Sequence, residues 1–265
     1  MTPVSPLTTL QHAALRIAKK TRLHGRTVPF FQPRCTMLWS DALPGLYGDI
    51  FIQQDYAPPR PLPPRPRILD IGGFLGLASI YFIWRYPDCR LVCVEPNPFA
   101  FDAMRQAVAG FAARRGAEVA FLNKAVGVAD GMATLTIDGA EPINVAASLT
   151  DRVDAARNRI SVAVKVVDVR SLLAGGVDFM KLDVEGMEYP LLESGAIIPN
   201  TVRSFAVELH DVERHRPQMR SIARRLLDLG YRAVDGDGRS LSAEDIAAIT
   251  GCRIVRFHAA DDSSR

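Results

Sequence analysis

The stretch RILDIGGFLGL, residues 67–77, indicates the fold class of this protein. Its first five residues form an apolar run with the length of a buried strand, and the apolar residues of 77–85 have helical spacing. A glycine-rich turn joins the two. Such a turn lets the backbone approach a ligand closely, and the helix behind it offers free N–H groups. The stretch therefore predicts a strand, a ligand-binding turn and a helix.

Strand-like and helix-like segments alternate through the rest of the chain. Further strands are predicted at residues 91–94, 119–122, 178–182, 204–209, 231–234 and 253–257, with more exposed strands at 132–137 and 162–167. Helices are predicted from Pro98 to about Gly116, from about Met187, and before Gly230. This alternation predicts a Rossmann-like α/β fold: a doubly wound, mostly parallel seven-stranded sheet with helices on both faces, plus a short N-terminal appendage. Such sheets bind ligands at the carboxyl ends of their strands.

A proline-rich stretch marks the clearest boundary in the chain. Six prolines occur between residues 58 and 66, and none of them can donate a backbone hydrogen bond. We interpret the stretch as an extended connector. It divides the chain into an N-terminal helical or lid segment at 1–57, the connector at 58–66, the main domain at 67–259 and a flexible tail at 260–265.

Composition excludes several classes of protein. Of the 265 residues, 48% are hydrophobic and 23% are charged, which is typical of a globular domain and excludes a disordered or fibrous chain. No apolar run approaches the ~20 residues of a transmembrane helix, and no secretory signal is recognisable. The four cysteines form no CxxC pair, which favours free thiols and a cytoplasmic location. A net charge of +3 is too small to indicate a nucleic-acid partner.

The N-terminal segment is nevertheless basic. Residues 1–66 carry a net charge of +5, and the first acid of the chain is Asp41. Apolar residues at helical spacing predict a helix that contains Leu7, Leu10, Ala14 and Ile17. We interpret it as a basic helix packed on the main domain. An amphipathic surface helix and an organelle transit peptide are the alternatives.

The glycine turn distinguishes between two cofactor classes. Counted from Gly72, a dinucleotide fingerprint would need glycines at Phe74 and Leu77, and neither position has one. The pattern acid-x-Gly-x-x-x-Gly is fitted by Asp70, Gly72 and Gly76, and it is typical of methyltransferases that use S-adenosylmethionine (SAM). An NAD-dependent oxidoreductase is the alternative enzyme, and a SAM-binding module without activity is the alternative without chemistry.

Polar residues after the next two strands also suit a nucleoside. Glu95 ends the second strand, where a carboxylate can accept hydrogen bonds from the two hydroxyls of a ribose. Asn123 follows the third strand, beside the expected position of the adenine. Asparagine is also a common turn residue, so both interpretations of Asn123 stay open.

The fourth strand is followed by acids. Strand periodicity places Lys181 and Asp183 on one face, with Asp183 at the carboxyl end, and Lys181 could be its buried partner. Enzymes that methylate exocyclic base nitrogens carry Asn/Asp-Pro-Pro-aromatic here, whereas this chain has DVEG at 183–186. A nucleobase acceptor is therefore disfavoured. Glu185 is a candidate site residue, although an acid is also favourable in the first turn of a helix.

The fifth strand leads to His210, which is well placed for proton transfer. We predict that His210 is the general base and that Asp183 orients the substrate or the cofactor. Asp183, Glu185 and His210 could also supply ligands to Mg²⁺, but their spacing is not diagnostic of a metal site, and we assign no metal ligand.

Four segments, 70–77, 95–98, 183–186 and 208–210, together resemble the FkbM family of methyltransferases over about residues 66–212. The resemblance implies SAM as cofactor and a hydroxyl acceptor on a sugar, a polyketide or a related small molecule or glycan. The expected cofactor-binding residues are Asp70, Gly72, Gly73, Gly76, Glu95, Asn97 and Asn123. The segment around Asn144 and Ser148 matches a family loop that ends in a serine near the active site.

Overall fold

A computed structural model describes residues 3–20, 23, 25–139, 143 and 159–260 of the chain. Asn144 and Ser148, and all of the predicted tail except Ala260, lie outside the described residues. Within the described part of the chain, no helix is both long and apolar enough to cross a membrane.

The N-terminal segment contains more regular structure than the sequence predicts. It consists of helix α1 (Pro6–Ala18), a hairpin of β1 (Thr27–Phe31) and β2 (Arg34–Leu38), helix α2 (Leu43–Tyr47) and a π-helical turn (Gly48–Gln53). The predicted connector at 58–66 and the four residues before it, all of them described, contain neither helix nor strand.

The remainder of the chain alternates strands and helices. In chain order these are β3 (Arg67–Ile71), α3 (Leu77–Arg85), β4 (Arg90–Val94), α4 (Pro98–Arg115), β5 (Glu118–Leu122), β6 (Ala125–Gly127), β7 (Gly131–Asp138), β8 (Arg159–Asp168), α5 (Val169–Leu173), β9 (Phe179–Leu182), α6 (Glu188–Glu193), β10 (Ser204–Leu209), α7 (Val212–Asp228), β11 (Tyr231–Val234), β12 (Ser240–Leu241), α8 (Ala243–Ala247) and β13 (Arg253–Ala259).

The main sheet confirms the predicted α/β class. Its strand order is β12-β11-β13-β10-β9-β3-β4-β5, and the five strands from β10 to β5 are parallel. Strand β13 is antiparallel to both β10 and β11. The sheet has eight strands rather than the predicted seven, because the two-residue strand β12 pairs with β11. The strand order reverses at β3, and a doubly wound sheet binds its ligands at such a point.

The two more exposed strands form a separate sheet. Strands β7 and β8 pair with each other, and β6 pairs with β8, in the order β6-β8-β7. The prediction of strands at 132–137 and 162–167 is therefore confirmed, but they do not extend the main sheet.

Successive side chains of the main sheet point to opposite faces and pack into two hydrophobic cores, one on each face. Ile68 belongs to a cluster with α3, α4 and the N-terminal segment, whereas Leu69 belongs to a cluster with α6, α7 and α8. The aromatic residues Tyr47 and Phe51 of the N-terminal segment are fully buried in the first cluster. The N-terminal segment thus completes a layer of the domain.

Helix α1 packs through a face that the apolar pattern does not predict. The buried residues are Thr8, Gln11 and Leu15, while Leu7, Leu10 and Ile17 are exposed. The helix packs on α2, the π-helical turn and β1 of the N-terminal segment, and its apolar stripe faces away from them.

Candidate active site

A cleft opens at the carboxyl ends of β3, β4 and β9. Its apolar wall contains Ile71, Val94, Val126 and Leu135, and its polar wall contains Glu95, Lys181, Asp183 and Glu185. The strand register explains why these side chains lie close together. Asp70 of β3 pairs with Lys181 of β9, so the residues that follow the two strands lie side by side at the edge of the sheet.

The glycine turn is shaped by contacts within the protein. Gly72 has a φ of +82°, and a Cβ atom there would lie 1.7 Å from the carbonyl oxygen of Asp183. At Gly76, with a φ of +85°, a Cβ would lie 2.5 Å from Cγ2 of Val108. The first glycine lets the exits of β3 and β9 touch, and the second lets α3 approach α4. These contacts lie within the protein, and the approach of a ligand to the two glycines stays a prediction.

Asp70 lies beneath the cleft rather than in its wall. It is fully buried, accepts a 2.6 Å hydrogen bond from the Ser79 hydroxyl, and its Oδ1 is 3.6 Å from Nζ of Lys181. Lys181 in turn donates to the Gly72 carbonyl at 2.7 Å and pairs with Asp183 at 3.1 Å. Burial lowers the pKa of Lys181, but Asp183 and Asp70 outweigh it and raise that pKa above its ordinary value. Lys181 is thus a buried cation that joins the two strand exits, and Asp70 positions it.

Glu95 reaches the cleft as predicted. Its carboxylate accepts backbone hydrogen bonds from Phe74 at 2.7 Å and from Asn97 at 2.8 Å. Burial raises its pKa to about 7, against the opposing effect of these two bonds. A carboxylate offers about four acceptor positions, so Glu95 retains capacity for a ligand.

The structure does not bring the side chains of Asn97 and Asn123 to the cleft wall. Asn97 caps helix α4, because its Oδ1 accepts from the Phe99 N–H at 3.0 Å. Asn123 donates to the carbonyls of Glu95 and Pro96 at 2.8 and 3.2 Å. Asn123 therefore holds the turn that carries Glu95, and Asn97 caps the helix behind it. A direct contact of either amide with the cofactor stays a prediction.

His210 sits among three carboxylates. Its Nδ1 is 2.9 Å from the buried Glu188, and its Nε2 is 3.6 Å from Glu185 and 3.8 Å from Glu208. Burial lowers the pKa of His210, but hydrogen bonds with Cys252 and Glu188 and the charges of the acids raise it to about 11. The ring is therefore protonated at neutral pH, which conflicts with the expectation of a neutral imidazole base.

Glu185 follows β9 and lines the cleft. Burial and the charge of Asp183 raise its pKa to about 7, and His210 opposes the rise. The residue has a φ of +51°, and its Oε2 lies 3.6 Å from Nε2 of His210. The cleft thus contains a carboxyl group that titrates close to neutrality.

Tyr56, which sequence reasoning missed, completes the polar wall. Its hydroxyl donates to Oε2 of Glu208 and lies 3.4 Å from Oδ2 of Asp183, and its ring centre is 5.0 Å from Nζ of Lys181. Leu46 and Ile50 of the N-terminal segment line the same cleft. No local pattern around Tyr56 signals this contact, since its partners lie 127 and 152 residues away.

Comparison with protein families gives a match over residues 71–233 to the model described as the methyltransferase FkbM domain. The chain belongs to the FkbM methyltransferase family. The predicted resemblance is confirmed, and the match favours the methyltransferase hypothesis over the oxidoreductase. Tyr56, Leu46 and Ile50 precede the matched residues, so part of the cleft wall of this FkbM protein comes from outside the family domain.

The individual proteins that resemble this chain share little sequence with it or match only a short part of it. Methyltransferase sdnD of Sordaria araneosa is 33% identical over 64 residues, and the match spans 24% of this chain and 24% of that relative. A methyltransferase FkbM from Methylobacillus flagellatus KT has a TM-score of 0.48 at 11% identity, and the alignment covers 93% of this chain and 58% of that protein's chain. Precorrin-6y C5,15-methyltransferase from Geobacter metallireducens has a TM-score of 0.41 at 11% identity, and the alignment covers 78% of this chain and 84% of that protein's chain.

Proposed function

We propose that this protein transfers a methyl group from SAM to a hydroxyl oxygen of a small-molecule or glycan acceptor. The observation that carries the proposal is that Glu95, which follows β4, and Asp183 and Glu185, which follow β9, line the same cleft. This arrangement provides a hydrogen-bonding site for a ribose and a polar site for an acceptor at the same strand ends.

The residues of the cleft suit SAM. Three acids, Glu95, Asp183 and Glu185, line the cleft beside Lys124 and Lys181, and the sulfonium of SAM is a cation. We assign the ribose hydroxyls to Glu95 and the adenine to the apolar surface of Val126 and Leu135. When bound, the sulfonium supplies an electrophilic methyl group. The protein has to align the acceptor oxygen and remove its proton.

We assign the removal of that proton to Glu185 in place of His210. His210 already holds a proton at neutral pH and cannot accept another, whereas Glu185 lines the cleft with a pKa of about 7. An alcohol is far too weak an acid to be ionised beforehand, so the proton moves to the carboxylate as the new bond forms. His210, 3.6 Å from Glu185, positions that carboxylate, and Asp183 orients the acceptor.

The Mg²⁺ hypothesis has less support. The structure groups His210 with Asp183 and Glu188, and separately with Glu208 and Cys252, within 4.8 Å. His210 would have to release its proton to bind a metal, and the thiol of Cys252 is a poor ligand for Mg²⁺. We route no step through a metal. Full activity after chelation would agree with this assignment, and activity restored specifically by Mg²⁺ would contradict it.

The proposal is tested with SAM that carries a ¹³C-labelled methyl group. Panels of sugars, glycosides and polyketide alcohols are incubated with the protein, and the products are examined by NMR. A product methyl carbon with the chemical shift of a methyl ether confirms transfer to oxygen. A labelled methyl amine or thioether would contradict the acceptor class while leaving methyl transfer intact.

A further inference from the structure

The outward surface of helix α1 is divided into an apolar stripe and a basic edge. The apolar stripe consists of Leu7, Leu10, Ala14 and Ile17, whose spacings of three and four residues place them on one side of the helix. Leu7, Leu10 and Ile17 are 54%, 64% and 69% exposed. Isolated apolar residues are common on protein surfaces, but a continuous stripe marks an interaction site.

The other side of the helix packs against the protein. Leu15 and Thr8 are buried, and Gln11 accepts a 2.7 Å hydrogen bond from the backbone N–H of Phe31. The helix also packs on α2 and on the π-helical turn. The apolar stripe therefore stays on the outside while the helix is folded against the protein.

Charge distinguishes between partners for the stripe. Arg16, Lys19 and Lys20 are exposed on the last turns of the helix and beyond its end. Residues 1–40 contain six Lys and Arg residues and no acid. An apolar stripe with a basic edge is the pattern of a helix that lies in the plane of a membrane surface, where the apolar side chains enter the lipid and the cations meet anionic headgroups.

A second copy of the chain fits this surface less well. Helix α1 has 13 residues, fewer than the three or four heptads that a coiled coil needs. Two copies would also bring two acid-free, basic segments together.

We propose that the apolar stripe of α1 docks on the surface of a bilayer that contains anionic lipid. Leu46 of α2 and Ile50 of the π-helical turn line the active-site cleft, so the docking helix packs directly on the elements that form part of its wall. The proposal does not depend on which acceptor is methylated.

The test is co-sedimentation of the full chain with vesicles of phosphatidylcholine alone and of phosphatidylcholine mixed with phosphatidylserine. We expect binding to the mixed vesicles that weakens as salt is added. The double variant Leu10→Glu with Ile17→Glu should reduce partitioning at least about tenfold, because both side chains lose their apolar contact with lipid. Reversing Lys19 and Lys20 to Glu should reduce it by about fivefold or more for each residue.

Met132→Glu is the matched control, since Met132 is 65% exposed and lies in the small sheet. It should bind vesicles as the wild type does. Circular dichroism should show all variants folded, because the replaced side chains are exposed. Failure of the wild type to bind mixed vesicles, or equal binding by the double variant, would overturn the proposal. So would a dimer, detected by ultracentrifugation, that only the double variant dissociates.

Discussion

At neutral pH Glu185, with a pKa of about 7, is partly ionised, whereas His210, with a pKa of about 11, is protonated, and this difference can be measured through activity. Replacing Glu185 with Gln removes the proposed proton acceptor while keeping its shape. We expect kcat to fall by roughly 10²–10⁴, with SAM affinity little changed. In the wild type only the ionised carboxylate accepts a proton, so the rate should rise with pH through a value at or below about 7, because bound cationic SAM favours ionisation.

Glu193→Gln, on the exposed end of the neighbouring helix α6, serves as the control and should keep full activity. Full activity in Glu185→Gln would contradict the assignment. An inactive His210→Asn variant beside a fully active Glu185→Gln would return the role of base to the histidine.

The charge of His210 predicts a pH dependence of stability. Its pKa rises from 6.5 in a model peptide to about 11 in the folded protein. A raised pKa contributes stability that is complete below about pH 6.5 and is lost as the pH rises towards 11. Between those values the unfolding free energy of the wild type should therefore fall more steeply than that of His210→Asn. An NMR titration of the His210 ring would measure the pKa directly, and a value near 6.5 would contradict the description of the site.

The close contact at the turn after β3 predicts that adding a single methyl group at Gly72 lowers the stability of the protein. Gly72→Ala places a Cβ against the Asp183 carbonyl and forces alanine into a left-handed conformation. We expect a loss of at least about 3 kcal/mol in unfolding free energy. Gly131→Ala is the control, because a Cβ there meets nothing within 4 Å. Equal stability of the two variants in urea titrations would show that the exits of β3 and β9 are not in close contact.

The N-terminal segment contributes to the site through Tyr56. Tyr56→Phe keeps the ring over Lys181 but removes the hydroxyl that donates to Glu208 and faces Asp183. Glu208 then keeps the Cys252 thiol as a donor but loses the Tyr56 hydroxyl, which should cost about 1–3 kcal/mol of stability and lower kcat, with SAM affinity unchanged. Tyr86→Phe, outside the cleft, should change neither quantity. Unaltered kinetics in Tyr56→Phe would confine the role of this segment to packing.

Strand periodicity and the order of strands in a doubly wound sheet were sufficient to predict where Glu95, Asp183 and Glu185 lie. The same reasoning does not decide the roles of Asn97 and Asn123, because an amide in a turn can bond its own backbone as readily as a ligand. Tyr56 could not be predicted at all, since its contacts arise from the packing of a separate segment.

The protonation of His210 was missed for a related reason. Its closest carboxylate, Glu188, lies on helix α6, and the contact depends on how that helix packs against the end of β10. Apolar spacing likewise predicted α1 as a helix but indicated the wrong face for its packing. Local patterns define elements, whereas the faces and charges of the site depend on tertiary contacts.

Cofactor identity is the claim on which the whole assignment rests, and calorimetry tests it most directly. Titrations with SAM, with its demethylated product S-adenosylhomocysteine and with NAD should show binding of the first two only. Glu95→Gln should weaken SAM binding by about 1.5–3 kcal/mol, since hydrogen bonds from the ribose to a charged carboxylate are lost. Tight binding of NAD, with no response to either sulfur compound, would contradict the assignment.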